Sequence, residues 1–176
     1  MKNWKQILLP FSLMFTAVLL DGFVTSLFSA QLDTDLGLIV PRFVFLVLII
    51  LSFHYEQSTM YVNAALIGFI MDAYYVGFLG VYLAAFILVI TIISNIKQAI
   101  NPNILSYTLV SILGLTASEL LVYGIMRILG VTTMAFQTFI VSRLSATLLF
   151  NAFIMLVFSY FIHRIVVNLL DELEIR

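Results

Sequence analysis

The sequence predicts an all-α integral membrane protein, six transmembrane helices in a compact bundle with both termini cytoplasmic and residues 1–176 forming a single transmembrane domain. Three observations predict it. The 176 residues are 63% hydrophobic and only 10% charged, with a mean hydropathy of +1.16, so polar side chains are too few to cover a water-soluble globule. Apolar runs of the length needed to cross a bilayer core of about 30 Å, roughly 20 helical residues, recur along the whole chain. If those runs alternate in direction, Lys2, Lys5, Lys97, Arg164 and Arg176 all fall on one side, and the opposite loops carry only Asp33 and Asp35. Lys and Arg resist translocation, so that side is the cytoplasm.

The first span runs approximately from Leu8 to Ala30, with Trp4 as an interfacial anchor before it. A secretory signal would have an apolar core of roughly 7 to 15 residues; this run is longer, and Pro10 and Asp21 interrupt it. Asp33 and Asp35 mark the first connection, and the second span covers Gly37 to Phe53. After His54 to Ser58 comes the third, Met60 to Val76; the glycine-bearing stretch Gly77 to Gly80 reverses the chain into the fourth, Phe78 to Ile96. Lys97 to Asn103 leads to the fifth span, Ile104 to Gly130. An uncharged stretch, Val131 to Gln137, precedes the sixth, Thr138 to Ile162.

Composition also narrows function. A net charge of −1 with scattered Lys and Arg offers no basic field for nucleic acid. With no cysteine there is no disulfide, thiolate nucleophile or thiolate metal site. His54 and His163 are far apart in sequence, which argues against a metal centre, and nothing in the sequence calls for a cofactor. Ser159 lies one helical turn from His163, but both sit at the cytoplasmic end, away from the intramembrane acids. The chain is therefore expected not to be an enzyme.

Six ionisable residues remain within the spans: Asp21, Arg42, Asp72, Glu119, Arg127 and Arg143. They balance in sign, and the alternating topology puts them all near the bilayer middle or in its outer half. A charge near the bilayer centre costs at least about 2.5 to 3.5 kcal/mol, which favours partners or a wet cavity over lipid. The expectation is a buried polar cluster opening outward, in which Asp21, Asp72 and Glu119 lock helices together through arginine partners. Arg42, Arg127 and Arg143 lie close enough to helix ends to snorkel instead, Arg127 above all. Ser111, Gly114 and Ser118 form a small-residue strip beside Glu119, and Glu119, Tyr123 and Arg127 share one face at intervals of four. Ala64, Gly68 and Asp72 repeat at the same interval on the third span, so another helix can approach the aspartate.

The segment Gly68-Phe69-Ile70-Met71-Asp72 followed by Gly77-Phe78-Leu79-Gly80-Val81-Tyr82 resembles the central signature of the MreD family of bacterial rod-shape proteins. Gly68, Gly77, Gly80, Gly114 and Ser118 are the expected helix-packing and turn positions, since glycines permit close approach and tight reversal. Asp21-Gly22 in the first span, Pro41 opening the second, and the six-span length extend the likeness over nearly the whole chain. The resemblance implies a non-enzymatic part of the lateral wall-elongation machinery in the bacterial cytoplasmic membrane. It would hold MreC through small-residue helix faces and, through it, connect to MreB, RodA and a penicillin-binding transpeptidase that carry out peptidoglycan synthesis. The alternative is a likeness to the substrate-binding subunits of energy-coupling-factor vitamin transporters, also small six-helix proteins with an outward pocket; their Ala-x-x-x-Ala pattern is absent from Leu8 to Ala30.

Overall fold

Helix α3 (Phe43–His54) stands at the centre of the structure, a computed structural model that describes residues 4–34, 37–101 and 103–174, with side chains described over 7–34, 37–101, 103–161 and at 164. Its sequence is almost continuously apolar, and a helix apolar on every side belongs in a core or in lipid. It contacts the other long helices: α1 (Trp4–Leu27), α4 (Gln57–Met71), α5 (Val81–Ile96), α6 (Ile104–Ile128) and α8 (Ser145–Glu174). Val44 to Leu46 and Leu48 to Leu51 are buried in the resulting core with Met60, Ile67, Phe86, Val89 and Tyr107. The short helices α2 (Ser29–Leu32) and α7 (Phe136–Phe139) complete the helical elements. The chain is thus nearly all-α; a two-stranded hairpin, β1 (Asp33–Thr34) with β2 (Gly37–Leu38), pairs antiparallel between α2 and α3.

Among the described residues three helical segments are long and apolar enough to cross a membrane: Ile7–Leu27, Ile104–Ile128 and Phe136–Phe161. α3 and α5 are shorter apolar helices. The surface is inverted relative to a water-soluble protein. Leu19, Phe23, Leu109, Leu113, Leu149 and Phe153 are exposed, whereas Asp21, Arg42, Asn63, Asp72, Glu119 and Asn151 are buried. Only an apolar solvent favours that arrangement.

The helix bounds depart from the hydropathy reading at several ends. Residues 37–42, expected within the second span, form β2 and irregular chain, because Pro41 lacks an N–H and biases the preceding residue away from helix. α1 ends at Leu27, three residues before the expected limit, and α5 begins at Val81 rather than at Phe78. α6 stops at Ile128, where Gly130 adopts φ +70 and the Val131 N–H closes back onto the Met126 carbonyl, a glycine-terminated helix end. The last helix runs on to Glu174, past the expected limit at Ile162. A π turn at Asp72–Val76 ends the segment begun by α4, and a second at Ile140–Leu144 joins α7 directly to α8. Lys2, Asp35 and Arg176, and the side chains of Trp4, Lys5 and His163, lie outside the described residues.

Close packing of α4 on α5 depends on Gly68. A Cβ there would stand 2.7 Å from Leu83 Cα, a backbone atom that cannot swing aside. Gly68→Leu is expected to destabilise the purified chain by about 1–3 kcal/mol in a detergent unfolding titration, as overpacking does. Gly124→Ala, where nothing lies within 4 Å of the added carbon, is the matched control, expected at wild-type stability or slightly above.

Candidate functional site

The buried N-terminal end of α3 gathers side chains from four other helices. Asp21 of α1 accepts from the Phe43 N–H at 2.6 Å and the Val44 N–H at 3.2 Å, so a neighbouring helix supplies the cap that α3 lacks in its own sequence. Residues 38–42 would otherwise expose unpaired peptide groups among apolar helices. α8 meets them: the Thr147 hydroxyl accepts from the Val40 N–H at 3.1 Å and Asn151 Oδ1 from the Arg42 N–H at 2.9 Å. Asn151 Nδ2 donates in turn to the Val40 carbonyl at 2.9 Å.

The Arg42 side chain runs from this point into the bundle. Its Nε and Nη2 both lie 2.7 Å from Glu119 Oε1 on α6, and Nη1 donates to the Tyr82 hydroxyl on α5 at 2.8 Å. Both members of the ion pair are buried. Arg143, in the second π turn, brings its Nε to 3.8 Å from Glu119 Oε2. That is an ion pair beyond hydrogen-bond distance, and the nitrogen is buried with no hydrogen-bond partner among the described residues.

Asp72 repeats the device of Asp21 at the start of α5. Its Oδ2 accepts from the Gly80 N–H and its Oδ1 from the Tyr82 N–H, each at 2.7 Å, with the Leu83 N–H at 3.5 Å from Oδ2. Gly77 and Gly80, at φ +75 and +105, form the reversal that folds the new helix back over the carboxylate. The carboxylate also complements the positive end of the helix dipole.

The six ionisable residues therefore do not form one cluster. Arg42, Glu119 and Arg143 come together; Asp21 and Asp72 are held by backbone N–H groups of helix starts, not by arginine forks. Arg127 stands apart and exposed, its Nη1 donating to the Met134 carbonyl, which also accepts from the Tyr123 hydroxyl at 2.8 Å. The small-residue strips turn inward: Gly68 faces Leu83, Gly114 faces Val89, and Ser111 and Ser118 are buried. Ser159 is fully buried, its Oγ without a hydrogen-bond partner among the described residues.

The family model described as rod shape-determining protein MreD matches residues 5–168. The chain belongs to the MreD family. The Rod shape-determining protein MreD of Bacillus subtilis (strain 168) is similar to it, 30% identical over 149 residues that cover 84% of this chain and 85% of that relative. No solved structure matches. Family membership assigns this membrane chain to rod-shape determination and gives no support to the vitamin-transporter alternative.

For this MreD family member, Tyr82, Thr147 and Asn151 are the network residues that sequence reasoning missed. Thr147 and Asn151 stand at i and i+4 on one helix face, a polar pair in an apolar span that carried the signal. Glu119→Ala leaves a buried guanidinium without its carboxylate and is expected to cost about 3–5 kcal/mol in detergent unfolding. The double variant Arg42→Met/Glu119→Leu is expected to lose clearly less than the sum of the single variants. Strict additivity in that cycle would show that the pair does not couple the helices.

Proposed function

We propose that this chain is a non-enzymatic scaffold of the lateral wall-elongation machinery in the bacterial cytoplasmic membrane. It binds MreC and, through that complex, couples peptidoglycan synthesis by RodA and a penicillin-binding transpeptidase to the MreB cytoskeleton. The observation that carries this reading is the family match across residues 5–168. The chain crosses the membrane six times, through α1, α3, α4 with its π turn, α5, α6, and the α7–α8 unit. An even number of crossings puts both termini on one side, here the cytoplasm, with the hairpin on the outer side. Charge placement supports this, since Lys97 and Arg164 fall at the end opposite the hairpin.

The buried polar groups serve rigidity. Hydrogen bonds that lock helix starts to their neighbours give a platform whose outer faces hold their shape. Because the glycine and serine strips face the interior, the MreC helix meets a lipid-facing surface instead. Such a surface lies between α1, α3 and α8, an apolar groove of about 380 Å³ lined by Ala17, Leu20, Phe43, Ile154 and Phe158 among others.

Full-length MreC is expected to co-purify with the chain from detergent, and depletion is expected to round the cells. Leu20→Trp, at a partly exposed groove position, is expected to cut recovery of MreC severalfold with no fall in melting temperature. Leu113→Trp on the exposed face of α6 is expected to leave recovery unchanged. No retention of MreC by the unsubstituted chain would remove the scaffold reading, and equal recovery with both tryptophans would move the contact away from the groove. Reporter fusions at the two ends are expected to report the same compartment; opposite compartments would refute six crossings.

A further inference from the structure

A second cavity, of about 430 Å³, opens between the hairpin and the π turn that carries Arg143. Gly37, at φ +120, sets the hairpin backbone so close to the Ser142 carbonyl that any side chain at position 37 would clash. Arg143 supplies the cation in its lining. Glu119 faces two guanidiniums but has already engaged Arg42 through Oε1. The three groups together carry two positive charges against one negative, and the side chain that reaches solvent is Arg143, 35% exposed against 6% for Arg42.

The other polar side chains of the lining are acceptors. The Thr34 hydroxyl donates to the Gly37 carbonyl at 2.8 Å and the Ser142 hydroxyl to the Thr138 carbonyl at 2.6 Å, so each turns only lone pairs outward. Asp33 adds a carboxylate. One donor fork for an anion thus stands in the same cavity as three acceptors that suit a cation bearing N–H groups. Leu38 and Val141 are exposed and apolar at the same place, as expected where acyl chains begin.

We propose that this cavity binds the headgroup of a zwitterionic phospholipid, with the phosphate on Arg143 and a primary ammonium on Asp33, Thr34 and Ser142. Arg recognises phosphate through paired charge-assisted hydrogen bonds. A primary ammonium offers three N–H donors to the acceptors; a choline headgroup offers none, and a glycerol headgroup lacks the positive charge that Asp33 would attract. The proposal rests on the chain's being embedded in lipid and requires no contact with MreC.

Native mass spectrometry of the full detergent-purified chain tests it, with phosphatidylethanolamine, phosphatidylcholine and phosphatidylglycerol of identical acyl chains as probes. The expected result is preferential retention of phosphatidylethanolamine. Arg143→Gln is expected to weaken its retention about tenfold, the scale of a hydrogen bond to a charged group. Asp33→Asn is expected to abolish the preference over phosphatidylcholine by lowering retention of phosphatidylethanolamine to the level of phosphatidylcholine. Melting curves without added lipid check that both variants are folded. Because Asp33 lies on the exposed hairpin, outside the arginine–glutamate network, its variant decides the question if Arg143→Gln does not accumulate. Equal retention of the three lipids by the unsubstituted chain, or an unchanged preference in Asp33→Asn, would overturn the proposal. So would displacement of the lipid by micromolar O-phosphoethanolamine, which would assign the cavity to a soluble ester.

Discussion

The first N–H groups of an α-helix have no partner within the helix, and inside an apolar bundle no bulk water supplies one. α3 begins in that position, surrounded by other helices, and follows a stretch of non-helical chain with peptide groups of its own. The structure answers with Asp21 on the first two helical N–H groups, Thr147 and Asn151 on residues 38–42, and the Arg42 guanidinium reaching across to Glu119 and Tyr82. Four helices are tied to the start of a fifth. Their mutual placement follows from satisfying that one end, because moving any of them would strand a buried polar group.

The same logic governs the turn between α4 and α5, where Asp72 precedes the reversal and closes over the start of the next helix. Two aspartates, one in α1 and one just after α4, thus do equivalent work on the start of the next long helix in the chain. A carboxylate serves this role well, since it accepts several N–H groups at once and its charge is favoured by the positive end of the helix dipole. Glu119 has no such helix start to cap. It answers the buried Arg42 and, more loosely, Arg143.

An interior fixed by directional bonds leaves the exterior to van der Waals contact. The small residues that commonly mediate helix association in membranes are used within the bundle, most visibly at Gly68 against the α5 backbone. The bundle therefore turns leucine and phenylalanine faces outward and keeps its exposed polar chemistry at the hairpin end. There Arg143 and Asp33 are the charged side chains that line a cavity.

The sequence by itself determined that the chain is a membrane-embedded, nearly all-helical protein, that it belongs with the rod-shape proteins, and that its intramembrane charges must find partners. Hydropathy over long windows and the cost of unsolvated charge are properties of composition and order along the chain, and they need no knowledge of neighbours. The Gly68 to Tyr82 motif was legible for the same reason, since the aspartate and the two turn glycines act within one hairpin. Only the tertiary structure decided which partner each charge took. Asp21 and Asp72 met helix ends where arginines were expected, Arg127 turned outward to the Met134 carbonyl, and Tyr82, Thr147 and Asn151 entered the network unannounced. Those contacts join residues up to 111 positions apart, as between Asn151 and Val40. They depend on which helices lie side by side, and periodicity along a single helix carries no record of that.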